Sequence, residues 1–205
     1  MVIDFQRDFL DGGASPIPGT SDVAPNVAAL AEAFRAAGRP IAHVVRLYEP
    51  GGSDVDLLRR QAVEEGARIV APGSDGSEVA EGVVPVGTRL DPAVLLSGTA
   101  QAVGAREVVF FKPRWSAFHR TGLEEWLRQE GCDTVVVAGC NLPNCPRATL
   151  FDASERDFRA ALAVDAVSQT TEERLADMGR IGVGLHTTAE VIGFLRGAGE
   201  LASRG

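Results

Sequence analysis

The sequence predicts an α/β fold in which one central, mostly parallel sheet is flanked by helices. Three observations carry this. Short apolar runs rich in Val and Ile alternate with longer stretches of helical period, the pattern of a parallel sheet built from strand–helix–strand units. Runs such as Val135-Val136-Val137-Ala138 are continuously apolar, as strands covered on both faces are. Three of the runs also end in a residue capable of chemistry: an acid, a lysine and, after a turn, a cysteine.

Each element has its own local reason. The opening Met1-Val2-Ile3-Asp4 gives a first strand with only three residues before its acid; either that strand is abbreviated or the start was assigned late. Asp22 to Gly38 carries Val23, Val27, Leu30 and Phe34 on one helical stripe and stops at a glycine. Pro40 to Leu47 reads as the second strand. Residues 49–106 give a helical piece near Asp54–Gly66 and Gly/Pro-rich turns around Ala71–Ser77. Strand 107–111 follows, then a helix with Leu123, Trp126 and Leu127, then strand 133–138. A helix opened by Cys145 and Pro146 runs to about Arg156, and Ala160–Asp165 is the next strand. Helices over Thr171–Arg180 and Thr187–Arg196 close the chain. There is no internal repeat, linker or low-complexity run, so residues 1–205 read as a single domain.

Gly139-Cys140-Asn141-Leu142-Pro143-Asn144-Cys145-Pro146 is the most informative stretch. Proline suits the first helical position, where its missing N–H has no partner to lose, and this puts Cys145 at about the N-cap. A sulfur there faces free backbone N–H groups and the positive end of the helix dipole, a setting that lowers a thiol pKa. The carboxyl end of a parallel strand is also where open α/β sheets do chemistry. Taken alone, the segment leaves a buried structural cysteine as the alternative. Asp4 and Lys112 each follow an apolar run in the same way, and parallel neighbouring strands would bring all three groups to one sheet edge.

Together these motifs resemble the isochorismatase-like cysteine hydrolases, the superfamily that also holds the nicotinamidases and N-carbamoylsarcosine amidohydrolase. The resemblance covers nearly the whole chain through VIDFQRDF, PGSDGSEV, KPRWSAFHRTGLEEWL, GCNLPNCPRAT, ALAVDAVS and HTTAEVIGFL, in that order. It implies a three-layer Rossmann-like fold, a catalytic triad of Asp4, Lys112 and Cys145, and a cis peptide at Cys140-Asn141. It further implies an oxyanion hole from the backbone amides of Asn141 and Cys145, and a homo-oligomer, dimer or tetramer. Nicotinamidase relatives bind zinc through an Asp and paired His after the second strand. Here that region, Leu47 to Asp54, has no histidine, so no metal and no cofactor are expected, and nicotinamide is disfavoured as substrate.

Composition bounds the partners. The chain has 205 residues, 45% of them hydrophobic, a net charge of −8 and a pI near 4.9. An acidic chain disfavours nucleic acid and anionic membrane surfaces as partners, and no run approaches the ~20 apolar residues of a membrane span. Three cysteines in a chain of this length do not look like a disulfide framework, which points to a reducing cytoplasm; the small-molecule substrate is what the resemblance implies.

Around the triad, Gln6 lies two residues beyond Asp4 on the same side of an extended chain, where it would touch substrate. Trp115 and Phe118 follow Lys112 and would line an apolar pocket, or simply pack. Arg7, Arg46, Arg114 and Arg147 lie near strand ends, where a carboxylate could meet them. His43 reads as a satisfied core residue, His119 and His186 as surface residues, and Cys132 and Cys140 as structural. The resulting expectation is a hydrolase that cleaves a C–N bond in a small amide, ureide or lactam through a thioester. Its competitors are an isochorismatase-type vinyl-ether hydrolase, which needs no nucleophilic thiol, and a non-catalytic ligand-binding member of the fold. A thiol-redox protein is a third, with Cys140 as its one option for a resolving cysteine.

Overall fold

The computed structural model describes residues 1–202, and side chains to residue 197. Residues 203–205 of the expected domain lie outside the described residues. The elements in chain order are β1 (Val2–Ile3), α1 (Ala24–Ala36), β2 (Ile41–Val45), α2 (Leu57–Glu64), α3 (Pro92–Leu96), β3 (Gln101–Gly104) and β4 (Glu107–Phe111). They continue with α4 (Leu123–Gln129), β5 (Thr134–Gly139), α5 (Cys145–Ser154), β6 (Arg159–Val167), α6 (Glu172–Arg180), β7 (Gly184–His186) and α7 (Thr188–Ala202). The strands form one sheet in the order β3-β4-β2-β1-β5-β6-β7. Every pairing is parallel except that of β3 with β4.

The period-2 alternation of buried strands divides the core in two. Ile3, Val44, Phe110, Val135 and Val137 pack with Leu123, Leu127, Leu150 and Met178 of α4, α5 and α6. Val2, Val45, Val109 and Ala138 pack on the other face with Val27, Leu30, Leu95 and Val191 of α1, α3 and α7. Burying one Val or Leu side chain contributes about 1.5–3 kcal/mol, so these two layers fix the register of the strands.

The helix ends are set by local chemistry. Pro25 occupies the first turn of α1, and Gly38 beyond its end has φ +62°. Thr171 caps α6 by accepting from the Arg174 N–H at 3.2 Å. At α7 the Thr187 hydroxyl accepts from the Glu190 N–H at 3.3 Å, while the Glu190 carboxylate accepts from the Thr187 N–H at 2.7 Å. That reciprocal pair is a capping box.

Residues 49–106 hold more than the one helix expected there. The helix α2 is shorter than its stretch, and α3 and the antiparallel edge strand β3 are additional. Strand β3 spans four residues, alternates between intermediate and exposed positions, and carries too little apolar signal to be read from sequence. Strand β7, three residues between the two closing helices, is additional as well.

Candidate active site

The chain order around β1 creates the site. From β1 it moves to β2 and β4 on one side, then returns to place β5 on the other. In open parallel sheets such a reversal leaves a crevice outside the carboxyl ends of the strands. Asp4, Arg46, Lys112 and Cys140 are each the first residue after β1, β2, β4 and β5. Ladder hydrogen bonds hold three of these tips level: Asp4 N donates to Val44 O at 2.8 Å, Lys112 N to Val45 O at 3.0 Å, and Cys140 N to Ile3 O at 2.9 Å.

The tip of β5 requires a glycine. Gly139 has φ +113°, and a Cβ there would sit 2.2 Å from Ile3 O. The Cys140-Asn141 peptide bond is cis. The turn then delivers Asn144 as N-cap of α5, with Cys145 as its first helical residue and Pro146 as the second, one position later than the sequence suggests. Among the described residues, neither the Asn141 N–H nor the Cys145 N–H has a protein acceptor.

The structure brings Asp4, Lys112 and Cys145 to this edge. Lys112 is fully buried, and its Nζ donates to Asp4 Oδ2 at 2.8 Å and to Arg114 O at 3.3 Å. Among the described residues Asp4 Oδ1 is buried without a hydrogen-bond partner, and Asp4 itself holds the left-handed backbone conformation, with φ +48°. Burial and the Asp4 charge push the Cys145 thiol above its usual value, against the opposing pull of Lys112 and Arg46. The expectation of a lowered thiol pKa is thereby corrected: desolvation outweighs the neighbouring cations.

Arg46 is the group that the sequence reading placed least well. Counted as one of four arginines near strand ends, it is the one that enters the site. Its Nη1 donates to Asp56 Oδ2 and to Pro113 O, both at 3.1 Å, and its Nη2 approaches Cys145 Sγ at 3.7 Å. The Tyr48 hydroxyl donates to the same Asp56 oxygen at 3.4 Å. Burial works against the Arg46 charge, yet nearby anionic groups, Asp4 foremost, hold its pKa above the ordinary arginine value. Of the other three, Arg7 pairs with Asp75, Arg114 with Asp54, and Arg147 lies over the Phe151 ring. The position of Arg46 one residue beyond β2, matching Asp4 and Lys112 beyond β1 and β4, is the signal that singles it out.

A cleft of about 460 Å³, its open mouth included, is lined by Asp4, Arg46, Cys140 and Cys145, among others. Trp115 and Tyr48 form part of its wall, and Arg59 of α2 stands at it without an acidic partner among the described residues. Two residues expected at the substrate are elsewhere. Gln6 is fully buried and its amide is saturated by backbone: Nε2 donates to Arg46 O at 2.8 Å and Ser77 O at 2.7 Å, and Oε1 accepts from Arg46 N at 2.8 Å. Phe118 is in the core, stacked on Phe158 with centroids 5.8 Å apart. Both follow the strand tips closely in sequence, but the chain turns inward before reaching them.

The histidines take no part in the cleft. His43 is buried in β2 with Nε2 2.7 Å from Glu107, which also accepts from Arg35. His119 is exposed, and His186 meets Phe194 edge-on. The residues present do not fit zinc. After β2 come Arg46, Leu47 and Tyr48, Asp56 is already paired with a guanidinium, and no three His, Cys, Asp or Glu gather among the described residues. None of the described helices is long and apolar enough to cross a membrane.

Comparison with known proteins follows the same lines. The family profile described as Isochorismatase domain matches residues 1–192. A protein of Arabidopsis thaliana named as a probable inactive nicotinamidase is 32% identical over 93% of this chain and 92% of its own length. Maleamate amidohydrolase of Pseudomonas putida is 29% identical, covering 82% of this chain and 70% of its own. The crystal structure of an isochorismatase family protein from Desulfovibrio vulgaris superposes with a TM-score of 0.80 at 30% identity, covering 95% of this chain and 96% of that one. On a profile match over nearly its whole length and a relative 32% identical over 93% of it, the chain belongs to the isochorismatase family.

Proposed function

We propose that this protein is a cysteine hydrolase that cleaves a C–N bond in a small amide, ureide or lactam through a thioester acyl-enzyme. The observation that carries the reading is the buried Oδ1 of Asp4, without a hydrogen-bond partner among the described residues, in the same cleft as the Cys145 thiol, with Lys112 holding the other carboxylate oxygen. In this mechanism Asp4 Oδ1 takes the thiol proton, and sulfur attacks the carbonyl carbon to give a tetrahedral oxyanion. The amides of Asn141 and Cys145 receive that charge, an arrangement in which a single donor is worth about 3 kcal/mol. Collapse breaks the C–N bond, the amine leaving with the proton from Asp4. Asp4 then takes a proton from a water that attacks the thioester carbon, the C–S bond breaks, and Asp4 passes that proton to the sulfur.

Relatives support amide chemistry, maleamate amidohydrolase by its name, while the Arabidopsis relative is named as inactive. What favours activity in this chain is the intact set of Asp4, Lys112 and Cys145. A vinyl-ether hydrolase of this fold has no need of the thiol. The enzyme works as a homo-oligomer in this reading, in keeping with the exposed Leu57 and Leu58 of α2 beside the cleft residue Arg59. Light scattering on the purified protein tests that point. Hydrolysis of a panel of carboxamides, ureides and lactams, followed by ammonia or amine release, tests the reaction. Turnover lost in Cys145→Ala supports it, and the absence of any turnover across the panel refutes it.

A further inference from the structure

We propose that Arg46 is a catalytic residue whose guanidinium faces the nucleophile and stabilises the Cys145 thiolate, beside the triad of Asp4, Lys112 and Cys145. This deepens the cysteine-hydrolase reading and rests on it. The geometry assigns the two cations different partners. Lys112 Nζ is 2.8 Å from Asp4 Oδ2, so it holds the base, whereas Arg46 Nη2 lies 3.7 Å from Cys145 Sγ.

The placement of Arg46 is built from several sides. Its side chain is only 3% exposed, Nη1 is fixed by Asp56 Oδ2 and Pro113 O, and its own N–H and C=O are both gripped by the Gln6 amide. A backbone held on both its donor and its acceptor leaves the side chain little freedom to leave the sulfur. Gln6 and Asp56 are therefore positioning residues. This gives the glutamine of the opening motif a function that direct substrate contact does not.

The groups that bear on the sulfur are Asp4 from the end of β1, Arg46 from β2, Lys112 from β4 and Cys140 from β5. Asp56, Tyr48 and Arg59 stand farther out. When Asp4 takes the proton, the S–H bond breaks, an O–H bond forms on Oδ1, and the electron pair stays on sulfur. The negative charge thus moves from a carboxylate bonded to Lys112 to a sulfur bonded to Arg46. A guanidinium keeps its proton throughout this range, so Arg46 acts through its charge and its N–H donor, not as an acid.

The test reads the thiol without requiring turnover. The rate of Cys145 alkylation by iodoacetamide is measured against pH in wild type, Arg46→Gln and Arg46→Lys. An opposite charge within about 4–6 Å shifts a pKa by about 1–3 units, so Arg46→Gln should move the profile up by at least about one unit and slow labelling at pH 7 about tenfold. Arg46→Lys keeps the charge and should restore most of that rate. Should Arg46→Gln fail to fold with Asp56 left alone, Arg46→Gln/Asp56→Asn is compared with Asp56→Asn, which isolates the loss of the guanidinium. A folded Arg46→Gln with the wild-type profile, or a double variant with the profile of Asp56→Asn, overturns the proposal. A shifted profile in a protein that hydrolyses no amide upholds the role of Arg46 at the thiolate and refutes the amidase reading instead.

Discussion

Replacing Asp4 by Asn keeps the size of the side chain but removes its charge and its basicity, and the two losses are separable. Lys112 is fully buried, and apart from Asp4 its one polar contact among the described residues is the Arg114 carbonyl at 3.3 Å. The variant leaves an ammonium in the interior without a counter-charge, and breaking a buried pair from one side costs about 3–5 kcal/mol. A domain with about 5–15 kcal/mol of stability survives that loss, with a clearly lower urea midpoint. Turnover should fall by about 10²–10⁴-fold, the worth of positioned acid–base catalysis. Adding Lys112→Met removes the stranded charge. Asp4→Asn/Lys112→Met should then recover most of the midpoint while turnover stays lost, because a buried pair replaced by uncharged groups is often neutral for stability. The assays are urea unfolding followed by circular dichroism, and initial rates on the best substrate of the panel. Turnover within a few-fold of wild type in Asp4→Asn refutes the proton-acceptor role. An unchanged midpoint refutes the claim that Asp4 is the counter-charge of Lys112.

The remaining predictions use other parts of the structure. Iodoacetamide should modify Cys145 before Cys132 and Cys140 and abolish hydrolysis, since Cys140 is buried, bonded to Asp4 O at 3.1 Å and pushed well above the usual thiol value by burial. Peptide mapping that finds Cys132 or Cys140 labelled first, with activity kept, refutes this. Activity should survive exhaustive chelation, because the residues after β2 supply no ligand set; loss on chelation and recovery with zinc refutes it. Burial opposes ionisation of Glu107, but His43 and Arg35 more than offset it and bring its pKa from 4.5 down to about 2. A depressed carboxylate contributes stability that is fully present above pH 4.5 and is lost as pH falls toward 2. Glu107→Gln should therefore be less stable than wild type at pH 6, with the gap in urea midpoint narrowing at pH 3. A gap that does not change with pH refutes the assignment.

The sheet was legible because buried parallel strands write continuous apolar runs, and Val108–Phe111 and Val135–Ala138 are such runs. The tips were legible for the same reason: a charged residue ending a wholly apolar run is conspicuous, and Asp4 and Lys112 stood out in that way. Arg46 follows Ile41–Val45 just as closely, but the histidine inside that run and the apolar Leu47 beyond it blurred the strand's end, which the sequence places at Leu47. Gln6 and Phe118 were misplaced because extended-chain alternation was carried past the strand tips, where the backbone had already turned. Residues 49–106 were opaque since β3 is an edge strand of four residues and α3 a helix of five, each held by tertiary contacts more than by its own pattern. Asp56 could not be assigned from sequence, because its meaning depends on a guanidinium ten residues earlier folding back toward it.

The raised pKa of Cys145 changes how the proposed chemistry must begin. Had the helix N-terminus and two cations prevailed, the resting enzyme would hold a thiolate, ready to react with any electrophile. Burial works against the thiolate instead, and the sulfur shares its cleft with an Asp4 carboxyl whose Oδ1 has no hydrogen-bond partner among the described residues. In the proposed mechanism the thiol proton passes to Asp4, and the same proton is the one that the departing amine needs. Holding it on Asp4 links attack to C–N cleavage, which a preformed thiolate would not do. The cost of that arrangement is a charge relocated into a buried site. This is where a fixed guanidinium 3.7 Å from the sulfur acts, favouring the new anion with no rearrangement at the moment of reaction.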